Sequence, residues 1–210
     1  MDNGRVSTEP NTEHPDTGAA TGPAVRSRQI GLLAAAAAVA LALDVITKAA
    51  VVANLEGQPP VRVIAGLLYL QVIRNPYAAF SLGITGMTWV FSLVACGVLA
   101  AIIWAAPKLR SRGWAVGLGL VFGGALGNLL DRVFRAPGVL RGYVVDFISP
   151  FAPNGGGFAI FNLADASICV GGALIVLMVL LGRDYDGRST RDRVRAARDD
   201  GPADGTTAGG

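Results

Sequence analysis

Apolar residues fall into four long blocks, near residues 30–53, 87–106, 114–132 and 160–181, with polar tails at either end. About 20 apolar residues in a helix rising about 1.5 Å per residue cross a bilayer core, so each block predicts a transmembrane helix. The second block stops at Pro107; the third is the shortest and is rich in glycine. Arg26 and Arg28 followed by residues 38–42 (Ala-Val-Ala-Leu-Ala) imitate a cleavable secretory signal. The run continues past Lys48 to Ala53, which favours a retained helix.

The connecting segments carry their own pattern. Residues 61–64 and 68–73 are rich in β-branched and aromatic residues, with Gly66 between them, and predict two short strands; residues 143–148 predict a third. Pro150, Pro153 and Gly155 to Gly157 then mark an irregular connection. Lysine and arginine in short loops set orientation. Arg26 and Arg28 precede helix one, Lys108, Arg110 and Arg112 crowd the turn between helices two and three, and six arginines follow helix four. Both termini are therefore expected in the cytoplasm, with loops 54–86 and 131–159 outside. Residues 1–25 and 183–210 read as disordered polar tails around a membrane domain at 26–182.

Composition agrees with the pattern. Of 210 residues, 52% are apolar and only 16% charged, and the mean hydropathy is +0.48. The net charge of +3 might suggest nucleic acid, but the apolar content points to a membrane and no nucleic-acid partner is expected. His14 is the one histidine and lies in the N-terminal tail, which removes Ser–His, Cys–His and zinc-helix chemistry. Cys96 and Cys169 lie in apolar runs and make no disulfide framework. No metal or cofactor is expected.

Against this background a few polar residues stand out. Between Gly57 and Gly182 the acidic residues are Asp131, Asp146 and Asp165, and Asp44 lies inside helix one. A charge at the bilayer centre costs about 2.5–3.5 kcal/mol on insertion scales, so such residues are candidates for function. Asp44 lies about 21 Å along helix one from its cytoplasmic start. Asn128, Asp131 and Arg132 end helix three, and Asn162 and Asp165 begin helix four. All therefore fall near one plane, at the outer surface. Asp44 and Lys48, and Asn128 and Arg132, are spaced i,i+4 and share helix faces. The Asp44–Lys48 pair reads equally as an ion pair easing insertion or as a group shaping a site. Asp131 reads as an anchor at the membrane interface. Gly119, Gly123 and Gly127, spaced by four, read as a surface for close helix packing.

Two carboxyl groups at this depth can share a proton, since both do not ionise easily at close range. Asp146 and Asp165 fit that role: the charged partner activates water, and the protonated one polarises an amide carbonyl. That is aspartic peptidase chemistry.

Five blocks carry a family resemblance. Asp44-Val45-Ile46-Thr47-Lys48, Arg74-Asn75-Pro76-Tyr77-Ala78-Ala79-Phe80-Ser81, the run from Gly123 to Asn128-Leu129-Leu130-Asp131-Arg132, Val144-Val145-Asp146-Phe147 and Phe161-Asn162-Leu163-Ala164-Asp165-Ala166 resemble, in order, the motifs of lipoprotein signal peptidases, the type II bacterial signal peptidases. The resemblance covers roughly residues 30–182. It implies a mainly α membrane protein with four transmembrane helices, a small extracytoplasmic β-cradle and a short amphipathic helix, part of it within 76–86. It implies removal of the signal peptide from prolipoproteins just before a cysteine that carries diacylglycerol, without a cofactor. The catalytic pair would be Asp146 and Asp165, supported by Asp44, Lys48, Asn75, Asn128, Arg132 and Asn162. The substrate would enter sideways from the lipid, meeting a monomer in the bacterial inner membrane. Tyr77 stands where the family usually has glycine, and residues 149–158 are rich in Pro and Gly, so contacts near Asn75 and the flap over the site depart from the family pattern. Two other readings use the same residues, a small proton-coupled transporter with the carboxylates as a relay, and a scaffold whose polar groups only pack the bundle. A relay needs polar groups in both membrane halves, and the inner halves of helices two to four lack charges.

Overall fold

The computed structural model describes residues 23–64, 66–76, 88–187 and 189. The expected amphipathic helix, Tyr77, residues 1–22 and most of the C-terminal tail lie outside the described residues.

Four helices, α1 (Pro23–Leu55), α2 (Thr88–Ala105), α3 (Arg112–Phe134) and α4 (Leu163–Leu180), are joined by three strands, β1 (Val61–Ile64), β2 (Leu68–Asn75) and β3 (Val144–Pro150). Arg28–Leu55, Thr88–Lys108, Arg112–Phe134 and Leu163–Leu180 are long and apolar enough to span a membrane. Their outer faces are apolar and exposed, as at Val39, Ile46, Leu93, Ile103 and Leu180. In water that would be a liability; in lipid it is the solvent-facing side.

The third helix is the centre of the bundle and packs most closely on α4 and α1. Its glycines explain how. A Cβ on Gly119 would lie 2.6 Å from the Leu33 carbonyl oxygen, on Gly123 2.5 Å from that of Ala37, and on Gly127 2.5 Å from Asp44 Oδ2. The glycine row therefore lets α1 approach to backbone contact, as its spacing predicts. Gly123→Leu should lower the melting temperature of the detergent-solubilised protein by an amount equivalent to about 1–3 kcal/mol, the usual cost of forced overpacking. An unchanged melting temperature would contradict the close approach.

The sheet is antiparallel in the order β1-β2-β3. Several boundaries differ from the sequence reading: α1 already starts at Pro23, inside the expected tail, and β3 runs on to Pro150. The second strand continues past Ile73 to Asn75, because Arg74 and Asn75 pair with Val145 and Val144 of β3. The fourth helix starts later than residue 160, because Phe161 bridges to Ile148 and Asn162, with extended backbone, caps the helix. At the other end, residues 183–187 do not behave as a free tail. Tyr185 O accepts from Arg110 N (2.8 Å) and Ser111 N (3.3 Å), and Trp114 Nε1 donates to Arg183 O at 2.7 Å.

Candidate active site

The site grows from a face of α1. One helical turn separates Asp44 from Lys48, whose Nζ lies 2.8 Å from Asp44 Oδ2. Both side chains are completely buried, which a lysine tolerates only among compensating oxygens. Lys48 Nζ also lies 2.9 Å from Asp131 Oδ2 and donates to Asn128 Oδ1 at 2.9 Å. The other oxygen of Asp44 accepts from Ala164 N at 2.9 Å, tying α1 to the first turn of α4. The pair is thus an internal ion pair and also part of the site's framework.

Lys48 fixes the amide of Asn128. An ammonium group has no acceptor, so it must meet the amide oxygen, and the NH2 group then faces away. Asn128 Nδ2 donates to Asp165 Oδ1 at 2.7 Å. Asp165 sits in a capping box: Asn162 Oδ1 accepts from Asp165 N at 2.9 Å, and Asp165 Oδ2 accepts from Asn162 N at 3.2 Å. This places Asp165 at the positive end of α4.

Asp146 arrives from β3. Its Oδ1 accepts from Asn162 Nδ2 and its Oδ2 from Asn75 Nδ2, each at 2.7 Å. Asn162 Nδ2 also donates to Asn128 Oδ1 at 3.2 Å. Three asparagines therefore hold the two carboxyl groups from separate sides, leaving both on one cavity of about 310 Å³, lined further by Arg132, Phe158, Ile160 and Val170. Burial pushes the Asp146 carboxyl up to about 7; the neighbouring Asp165 charge adds to this, while hydrogen bonds from Asn75 and Asn162 and the charge on Lys48 oppose it. Arg132 is buried, donates from Nη1 to Asn128 O at 3.1 Å, and lies close enough for its charge to act on Asp165, Asp146 and Asp131.

The structure brings together all eight residues singled out in the sequence. It also corrects one reading. Asp131 is not an anchor facing the membrane interface but is buried, paired with Lys48 and Arg135, and accepts from Val145 N at 3.2 Å. It joins α3 to the strand that carries Asp146. The signal was present: Asp131 is one helical turn beyond Asn128, at the depth of the other polar groups. The apolar cavity wall around Phe158 to Phe161 was not singled out from sequence. Among the described residues no three His, Cys, Asp or Glu side chains are grouped to hold a metal ion.

Fold and site together define a polytopic membrane protein with two carboxyl groups presented to one partly apolar cavity. The profile of signal peptidase (SPase) II matches residues 36–181. A lipoprotein signal peptidase of Rhodococcus jostii is 45% identical over 198 residues, 89% of this chain and 96% of that protein. One from Streptomyces griseus subsp. griseus is 50% identical over 165 residues, 79% of this chain and 81% of that one. The solved structure of a bacterial membrane enzyme, obtained by the in meso method at 1.9 Å resolution, is 31% identical with a TM-score of 0.61, covering 71% of this chain and 93% of that chain. The chain belongs to the signal peptidase II family and is a membrane-embedded peptidase.

Proposed function

We propose that this peptidase removes the signal peptide from diacylglyceryl-modified prolipoproteins, cutting before the lipidated cysteine, with Asp146 and Asp165 as the catalytic pair. The observation that carries this reading is the presentation of two carboxyl groups to one cavity, the first held neutral by burial up to a pH of about 7.

In this mechanism Asp165 takes a proton from water as the water oxygen attacks the scissile carbonyl carbon. Asp146 gives its proton to the carbonyl oxygen, and a gem-diol forms. The proton on Asp165 then passes to the leaving nitrogen, the C–N bond breaks, and a diol proton returns to Asp146 as the new carboxyl group forms. Asp165 suits the base because one oxygen accepts from the Asn128 amide on α3 and the other from Asn162 N at the cap of α4. Arg132 steadies the accumulated negative charge. The acidic group that must stay protonated sets the alkaline limit.

The apolar cavity and the lipid-facing helices suit a monomer that admits its precursor sideways from the bilayer. Basic residues at the α2–α3 turn support a cytoplasmic position for that end, with the carboxyl site toward the outer face of the inner membrane and both termini inside.

The test is cleavage of a diacylglyceryl-modified precursor by the purified protein, followed by mass spectrometry from pH 5 to 9. The expected product begins at the lipidated cysteine, and the rate falls about tenfold per pH unit above an apparent pKa near 7. A cut elsewhere overturns the assigned position; a rate that holds or climbs to pH 9 overturns the role of Asp146.

A further inference from the structure

A second cavity, of about 470 Å³, opens between α2 and α3 at the opposite end of the bundle from the carboxyl site. We propose that it binds an anionic glycerophospholipid of the surrounding leaflet. Its depth separates it from the peptidase site: Trp114, in its wall, and Asn128, in the carboxyl site, are 14 residues apart on α3, about 21 Å.

Two halves of the cavity differ in chemistry. Along the helices it is walled by Val98, Ile102 and Val121, with Val98 open toward lipid, which suits an acyl chain. At the mouth stand Lys108, Trp114 and Tyr185. Lys108 Nζ lies 3.2 Å from the centroid of the Trp104 ring, and Trp104 is itself exposed. Aromatic side chains at this level match the boundary between hydrocarbon and head groups.

The mouth is a built wall. The hydrogen bonds from Arg110 and Ser111 to Tyr185 and from Trp114 to Arg183 hold the post-α4 segment across the α2–α3 turn. Trp114 and Tyr185 pack edge to face at 6.2 Å. Segments 106–112 and 183–187 carry Lys108, Arg110, Arg112 and Arg183 against Asp184 and Asp186. The excess is cationic, and no side chain caps the positive N-terminus of α3. A neutral lipid satisfies the apolar groove equally well but not the charge at its mouth; a phosphate with net negative charge satisfies both.

The test uses native mass spectrometry of the full-length protein in a neutral detergent, comparing phosphatidylglycerol with phosphatidylcholine of the same chains. Phosphatidylglycerol should be retained preferentially, and Lys108→Gln and Arg112→Gln should each lower that preference about fivefold. Val98→Trp, which fills the groove, should remove both lipids while precursor cleavage stays within about twofold of the unsubstituted protein, as expected for a site that shares no residue with the carboxyl cavity. Equal retention of the two lipids, or preference unchanged by all three substitutions, overturns the proposal. A cross-link from Lys108 to residues beyond 189 that added lipid fails to displace also overturns it and gives the groove to the chain's own tail.

Discussion

Asp146→Asn and Asp165→Asn should each reduce precursor cleavage by about 10²–10⁴-fold, the usual contribution of a positioned acid or base. The double variant should be little worse than either single one, because a pair that works through a shared proton fails as a unit. Both substitutions preserve side-chain shape. Their structural cost comes from hydrogen bonding: each carboxyl oxygen of Asp146 accepts from an asparagine NH2 group, and an amide there turns one NH2 against another. That mismatch costs about 1–3 kcal/mol, so melting temperatures should be recorded alongside rates. Near-normal cleavage by either folded variant would remove that residue from the catalytic pair, and losses that multiply in the double variant would deny that the two share a step.

Lys48→Met should be the most damaging substitution for stability. The lysine answers Asp44, Asp131 and Asn128 in a space closed to water. Removing one partner of a buried ion pair costs about 3–5 kcal/mol because the other charge remains buried. Here Asp44 loses its cation, Asp131 loses one of its two, and Asn128 loses the shorter of the two contacts on its amide oxygen. Adding Asp44→Asn to Lys48→Met should restore part of the melting temperature by relieving one of those charges. Activity should remain low in this double variant, since the Asn128 amide oxygen is then held only by the longer bond from Asn162. A single variant that melts within a degree or two of the unsubstituted protein would show that Lys48 is not the keystone of the network.

Much of this was legible in the sequence, for reasons that differ by element. The four helices announce themselves because lipid demands long apolar runs. The strands at 61–64 and 68–73 were legible from β-branched residues, but the extension to Asn75 was not, since Arg74 and Asn75 join the ladder only through partners about 70 residues away. The start of α4 is not legible because Ile160 and Phe161 are apolar yet precede the helix, Phe161 in a bridge to Ile148; the cap at Asn162 decides the boundary. Polar residues at one depth indicated a site, and helical spacing indicated which shared a face. The bond from Lys48 to Asn128 and the pairing of Lys48 with Asp131 needed the α1–α3 contact, 80 residues apart in the chain. Asp131 was misread for the same reason, as its partners Lys48 and Val145 lie on other elements.

The capping box at Asn162 and Asp165 bears on how the protein is made. Ala164 N donates to Asp44 and Asn162 bridges to Asp146, so the fourth of the described helices to leave the ribosome closes a centre begun by the first. A nascent chain with three helices already inserted holds neither both carboxyl groups of the proposed pair nor the Ala164 bond to Asp44. On the proposed mechanism, proteolytic competence arrives late in biogenesis, only after nearly all of the membrane domain has been translated.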